Sequence, residues 1–126
     1  MLFRSPRTGI EKAWLMDRAL FNVTTSLEEA LGSVLVESIT MGLPMLASDL
    51  PAHRELLDGR NWGMTFKSGD ANDLAEKMLV MLRSDLPAMK HEAQQLAPQY
   101  SLARMIDRYE AACIRALETS NKRNPS

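Results

Sequence analysis

The chain has 126 residues, of which 45% are hydrophobic and 25% are charged, and its formal net charge is −1. This size and composition are typical of one globular domain with a modest core. The nearly balanced charge provides no basic field that would attract nucleic acid or an anionic membrane, so we expect neither a nucleic-acid partner nor more than peripheral membrane contact.

Three further features concern where the protein works. Cys113 is the only cysteine, which excludes an internal disulfide and fits a reducing compartment. No apolar run approaches the roughly 20 residues of a membrane-spanning helix. The first nine residues, MLFRSPRTG, lack the apolar core of a signal peptide. We therefore expect a cytoplasmic protein.

Strand and helix signals alternate through the first half of the chain. Enrichment in β-branched, apolar and aromatic residues predicts strands at residues 19–25, 45–48 and 63–66. Apolar spacing and helix-start residues predict helices at residues 10–18, 33–41 and 51–57. Gly42 stands where a helix C′ residue is expected, and Pro44 prevents continuation. Residues 26–32 fit neither pattern.

Helix signals fill the second half. Asp70 is predicted to cap a helix whose buried stripe is Leu74, Met78 and Met81. A second helix runs from about Leu86 to Pro98. Ser101 caps the last one. Its apolar residues, predicted to face the core, are Leu102, Met105, Ile106, Tyr109, Cys113 and Leu117.

The alternation of strands and helices favours parallel strands joined by helical crossovers. Only three strands are predicted, whereas a typical sheet has about five or six. We therefore predict an α/β fold, a partial Rossmann-like domain with about three parallel strands and a helical C-terminal half. The domain is expected to cover residues 1–120, and residues 121–126 are expected to form a frayed polar tail.

The stretch from residue 26 to 49, SLEEALGSVLVESITMGLPMLASD, contains the strongest functional signal. Glu29 and Glu37 are separated by seven residues, and Gly32 lies between them. A helix N-terminus has unpaired N–H groups and about half a positive charge, so it can hold a diphosphate. Gly32 would let the backbone approach a phosphate or sugar closely. Glu37 would accept the two ribose hydroxyls, and Glu29 would bind sugar hydroxyls near the anomeric carbon.

Five segments in order carry a resemblance to a known family. They are ALFNVTTS, EEALGSVLVES, MGLPMLASDLPAHRELLDG, NWGMTFKSGDANDLAEKML and YSLARMIDRYEAA, which lie between residues 19 and 117. Together they resemble the C-terminal part of the donor-binding domain of family 4 (group 1) glycosyltransferases, which have the GT-B fold. In that family EEALGSVLVES corresponds to a Glu-x7-Glu segment.

The resemblance implies transfer of a glycosyl group from a nucleotide sugar to an acceptor, with retention. It implies that Glu29 acts on the donor sugar as the catalytic residue and that Glu37 binds the ribose. Backbone amides of Leu31, Gly32 and Ser33 would serve the sugar and the phosphates. No metal or other cofactor is implied, and no Asp-x-Asp motif is present. The family usually has an aromatic residue at the position of Leu31.

Two other interpretations of these acids remain open. Ser26-x-x-Glu29 is also a capping box, which would make Glu29 a helix-start device. The alternative is that the two glutamates form the acid/base pair of a glycoside hydrolase. A single helix across them would separate them by about 12 Å along its axis, whereas hydrolytic carboxylate pairs lie roughly 5–9.5 Å apart. This spacing argues against hydrolysis.

The remaining expectations concern neighbouring residues and partners. We expect Arg54 and Glu55 to form no more than a surface ion pair, and we favour a structural role for His53 over a catalytic one. A GT-B enzyme also needs an acceptor domain and the first strands of the donor domain. We therefore expect the isolated chain to be inactive without an N-terminal half or a partner chain that supplies these parts. The alternatives are a non-catalytic nucleotide-sugar-binding subunit and an interaction subunit.

Overall fold

A computed structural model describes residues 8–123 of the chain, with side chains to residue 119. The helices are α1 (Gly9–Arg18), α2 (Ser33–Thr40), α3 (Pro51–Leu57), α4 (Ala71–Arg83), α5 (Leu86–Leu96) and α6 (Leu102–Arg123). The strands are β1 (Asn22–Thr24), β2 (Met45–Ser48) and β3 (Gly63–Phe66). A 3-10 turn, Ala97–Tyr100, joins α5 to α6. Helix α6 includes the first three residues of the segment predicted to be a tail.

The three strands form one parallel sheet in the order β1-β2-β3. Asn22 lies opposite Met45, and Met45 lies opposite Gly63 on the other side. Helix α2 connects β1 to β2, and α3 connects β2 to β3. All four residues of β2 are buried, as expected for the central strand of a parallel sheet. The predicted α/β fold with a partial Rossmann-like arrangement is confirmed.

The predicted bounds of β2, α3 and β3 are those found in the structure. Strand β1 is shorter than the predicted 19–25, because only three of its residues pair with β2. Gly42 has a φ of 62°, the left-handed conformation expected just after a helix. Residues 26–32, which matched neither pattern, form a loop without regular helix.

The core lies on both faces of the sheet. One cluster contains Leu35, Ile39, Met45, Ala47, Leu56, Leu57, Trp62 and Ala93. The other contains Leu46, Phe66, Met81 and Met89. Strand β2 contributes to both clusters in alternation, because successive side chains of a strand point to opposite faces. Trp62 is fully buried, and its indole N–H donates to the Leu56 carbonyl at 3.0 Å.

The prediction that the apolar stripe of the last helix is buried is wrong. Helix α6 begins where predicted, with the Ser101 hydroxyl accepting from the Arg104 amide at 3.3 Å. However, Leu102 is 67% exposed, Tyr109 is 74% exposed, and Cys113 is also exposed. The helix contacts the remaining described residues chiefly through the 3-10 turn, so they do not cover this face. Met78, predicted to be buried on α4, is likewise 38% exposed.

Asp70 provides a prediction about stability and pH. Its carboxylate accepts from the Asp73 and Asn72 amides, both at 3.1 Å, and caps α4. These bonds, chiefly the one from the Asp73 amide, hold the pKa of Asp70 below its usual value. A lowered folded-state pKa means that the cap stabilises the fold above the unfolded-state pKa of about 3.9, and that this contribution is lost as the pH falls through the folded-state pKa.

We expect Asp70→Ala to lower the melting temperature near neutral pH. The difference from the wild type should shrink as the pH falls through the folded-state pKa, because the wild-type carboxylate is then itself protonated. Asp70→Asn is the matched control, because asparagine caps helices without titrating. It should retain most of the neutral-pH stability. Thermal unfolding followed by circular dichroism measures both effects. An equal loss of melting temperature for Asp70→Ala at neutral and at acidic pH would contradict the assignment of the Asp70 carboxylate as the cap of α4.

Candidate functional site

The loop of residues 26–32 lies at the carboxyl ends of the strands. It follows β1 directly, and the Ser48 hydroxyl at the end of β2 donates to the Ser26 carbonyl at 2.6 Å. The hydroxyls of Thr24 and Ser26 are also hydrogen-bonded, at 3.2 Å. Ligands of open parallel α/β sheets bind outside this edge. The loop that carries Glu29 is therefore fixed at the side of the sheet where a site is expected.

Gly32 marks the turn from this loop into α2. Its φ of 59° and ψ of 34° are left-handed, and its carbonyl accepts from the Leu35 amide at 2.9 Å. A Cβ at this position would lie 3.4 Å from the Ala52 carbonyl oxygen and from Leu56 Cδ1, an ordinary contact distance. Glycine is therefore required here by the positive φ of the backbone, and not by a lack of space for a side chain. The Cα side that we expected to face a ligand is packed against α3.

The N-terminus of α2 has the properties of an anion site. A glycine N-cap supplies no side-chain oxygen to the first amides of the helix. The first turn contains no acidic residue that would offset the positive end of the helix dipole. Ser33, the first helical residue, is exposed. An anion can therefore approach this end of α2 from the Ser33 side.

Glu29 is half-buried and bonds to its own loop. Its Oε1 accepts from the Ala30 amide at 3.1 Å and from the Leu31 amide at 3.4 Å. The capping-box interpretation of Ser26 and Glu29 is not supported, because the helix begins at Ser33. The helical estimate of the separation between the two glutamates does not apply for the same reason. Leu31 itself is 81% exposed, and its amide is already engaged.

Glu37 lies on α2, four residues after Ser33 and about 6 Å further along the helix axis. Its Oε2 is 2.5 Å from the Lys12 ammonium nitrogen, and both side chains are about half exposed. Lys12 belongs to α1, which precedes the sheet. Sequence reasoning missed this partner because the two residues are 25 positions apart and only the tertiary fold brings them together.

Helix α2 is held in one rotation by the residue after Glu37. Ser38 is fully buried; its hydroxyl accepts from the Asn22 amide group at 2.9 Å and donates to the Met45 sulfur at 3.5 Å. These contacts attach the inner face of α2 to β1 and β2. Since consecutive helical residues lie about 100° apart, Glu37 does not face the sheet, and its side chain is about half exposed.

Arg54, at the edge of the same region, pairs with a different acid from the one expected. Its guanidinium donates to Asp49 through both Nε and Nη2, the second bond being 2.7 Å long, and Glu55 is not its partner. The Arg54 hydrogen bonds lower the pKa of the Asp49 carboxyl. This bidentate pair links the end of β2 to α3.

The predicted site residues thus fall into two groups. Glu29, Leu31, Gly32 and Ser33 form a continuous segment from the loop into the tip of α2, and Glu37 lies one turn further along.

Within residues 8–123, no three histidine, cysteine, aspartate or glutamate side chains are grouped so that they could hold a metal ion. Within the same residues, no helix is long and apolar enough to cross a membrane.

Comparison with known proteins identifies the family. The family model described as "Glycosyl transferases group 1" matches residues 8–84, which is more than half of the chain and includes the whole candidate site. The chain belongs to the group 1 glycosyltransferases. The resemblance carried by the five sequence segments is thereby confirmed.

One similar protein is the phosphatidyl-myo-inositol mannosyltransferase of Mycobacterium leprae (strain TN). It is 40% identical to this chain over 58 residues, which are 46% of this chain and 16% of that protein. The similarity therefore covers only a small part of the relative's length. It supports the family assignment, and it does not extend the activity of the whole relative to this chain.

Gly32→Ala tests whether left-handed backbone is required at the tip of α2. A non-glycine residue in this conformation costs about 1–2 kcal/mol, so the free energy of unfolding should fall by that amount. Ser33→Ala is the matched control: its side chain is exposed and its backbone is helical, so the change should stay within about 0.5 kcal/mol. Urea unfolding measures both, and equal values for the two variants would contradict the requirement.

Proposed function

We propose that this chain is the donor-binding part of a retaining glycosyltransferase, and that the tip of α2 holds the diphosphate of a nucleotide sugar. The observation that carries the proposal is the glycine-capped, acid-free N-terminus of α2 at the carboxyl edge of the sheet. Helix N-termini of this kind bind phosphate through backbone N–H groups and the helix dipole. The amides of Leu31, Gly32 and Ser33 are the proposed donors to the sugar and the phosphates, and the Leu31 amide must first release the Glu29 carboxylate.

Glu37 is the proposed ribose ligand. A carboxylate can accept hydrogen bonds from both ribose hydroxyls. Lys12 already occupies Oε2 of Glu37, so the ribose must share the carboxylate with the ammonium or displace it. Both side chains are solvated, and an ion pair of this kind contributes only about 0–1 kcal/mol. The pair is therefore weak enough to be rearranged by a bound nucleotide.

Glu29 is the proposed catalytic residue, positioned beside the donor sugar. Its carboxylate accepts from two loop amides, which keeps it near the tip of α2 rather than in solvent. The leaving nucleoside diphosphate gains negative charge as the glycosidic bond breaks. The positive end of α2 stabilises that charge, and fixing the sugar next to the acceptor lowers the barrier further. This chemistry requires no metal ion.

In this proposal, glycosyl transfer also requires protein segments other than this chain. An acceptor domain and basic residues for the phosphates would come from an N-terminal half or from a partner chain, and the protein would act in the cytoplasm. The isolated chain would bind a nucleotide sugar weakly and transfer nothing. The mannosyltransferase relative makes a nucleoside diphosphate mannose a reasonable donor to test first.

Calorimetric titration with a nucleoside diphosphate tests the ribose assignment. Glu37→Ala should weaken binding by about 1.5–3 kcal/mol, or roughly 10- to 150-fold, because a charged acceptor is lost. Glu76→Ala, which removes an exposed acid from α4, is the matched control and should leave the affinity unchanged. The assignment is wrong if Glu37→Ala binds as well as the control. Adding the N-terminal half should raise the affinity without changing this ratio.

A further inference from the structure

His53 has a buried nitrogen that the fold leaves unused. The side chain lies on α3 and has no solvent exposure. Its Nδ1 is 2.7 Å from the carbonyl oxygen of Ser48, which can only accept, so Nδ1 carries a proton. In the neutral ring Nε2 is then an acceptor. Among the described residues nothing hydrogen-bonds to Nε2, although it is buried.

The imidazole ring of His53 lies beside the N-cap of α2, where the diphosphate is proposed to bind. Cδ2 of His53, the ring carbon bonded to Nε2, lies 3.7 Å from the position that a Cβ on Gly32 would occupy. The imidazole ring is therefore packed against the N-cap of α2, and Nε2 is the ring atom next to the contacting carbon. An unsatisfied buried polar atom costs about 1–3 kcal/mol, so its retention needs a reason. The bond to Ser48 accounts for Nδ1 and leaves Nε2 unexplained.

A bound anion supplies that reason. The positive end of α2 creates a positive potential beside the imidazole. A phosphate at the same helix end reverses the local potential and favours the imidazolium. The ring then has a proton on Nε2 that it can donate to a phosphate oxygen in a charge-assisted hydrogen bond.

We propose that His53 is a proton-linked anion-binding residue: a phosphate oxygen at the N-terminus of α2 binds together with one proton, taken from solvent, on His53 Nε2. The inference rests on the proposed function, because it uses the same diphosphate position. It adds a ligand from α3 and predicts that donor binding strengthens as the pH falls.

Four charged groups on the segments around His53 have partners within the chain. Glu29, on the loop before α2, bonds to its own loop amides, and Glu37 on α2 pairs with Lys12. Asp49 at the end of β2 and Arg54 on α3 pair with each other. Within the described residues, none of these acids bonds to Nε2, so the incoming anion is the group that changes its protonation.

Nitrogen NMR of the labelled imidazoles tests the proposal directly, because the chain has two histidines. His91 lies exposed on α5, where its Nε2 is 2.8 Å from Gln95 Nε2, and it serves as an internal control. The full chain is titrated with acid in the absence of ligand, then with saturating inorganic pyrophosphate, and then with a nucleoside diphosphate. With either ligand the His53 titration midpoint should rise by about one pH unit or more, equivalent to about tenfold tighter proton binding, and that of His91 should not.

His53→Asn supplies the matched variant. Asparagine keeps an N–H near Nδ1 for the Ser48 carbonyl and has nothing at the position of Nε2. We expect it to fold, to bind pyrophosphate about tenfold more weakly below the midpoint, and to bind without proton uptake when calorimetry is repeated in buffers of different ionisation enthalpy. The NMR measurement on the wild type remains decisive if this variant is unstable.

The outcomes separate this inference from the proposed function. Nucleoside diphosphate binding with unchanged His53 titration overturns the inference and leaves the function intact. If pyrophosphate raises the His53 midpoint but a nucleoside diphosphate binds no better than pyrophosphate, the inference stands and the nucleotide assignment fails. If neither ligand binds at millimolar concentration, both are overturned.

Discussion

The left-handed backbone at Gly32 is the constraint on which the site depends. It turns the chain from a loop fixed at the carboxyl edge of the sheet into α2, and Gly32 itself lies against α3. This single turn determines the direction of the first amides of α2 and hence where an anion can bind. It also places Glu29 before the helix and Glu37 along it. A residue with a Cβ would strain this turn, which joins the loop that carries Glu29 to the helix that carries Glu37.

Contacts with the sheet fix the position of this turn. Strand β2 is buried on both faces, and the helices on either side of it in sequence pack against its apolar residues. Asn22 and Ser38 attach α2 to the first two strands by hydrogen bonds, and Ser48 attaches the loop. Packing fixes the positions of the helices, whereas the polar contacts fix their rotation. The proposed ligand groups are therefore carried by regular elements and by an anchored loop.

The sequence predicted the features of the fold that depend on neighbouring residues in the chain, such as helix ends and strand bounds. Gly42 and Pro44 end α2, Asp70 starts α4, and the bounds of β2 follow from a short apolar run. The Lys12–Glu37 and Asp49–Arg54 pairs had no such signal, because side-chain partners depend on tertiary proximity. The periodicity of α6 predicted the helix correctly but not its exposure. An amphipathic pattern indicates that one face prefers burial, and it does not identify the surface that covers it.

Both proposed acids already have partners within the chain, and this affects how a donor would bind. Glu29 accepts from two loop amides, and Glu37 accepts from Lys12. A sugar or ribose hydroxyl therefore exchanges one hydrogen bond for another, so each acid contributes at most about 1.5–3 kcal/mol, the value of a hydrogen bond to a charged group. The diphosphate differs, because the tip of α2 has no side-chain acceptor of its own. Affinity should accordingly come mainly from the phosphates, while the two acids select the sugar and the ribose by geometry.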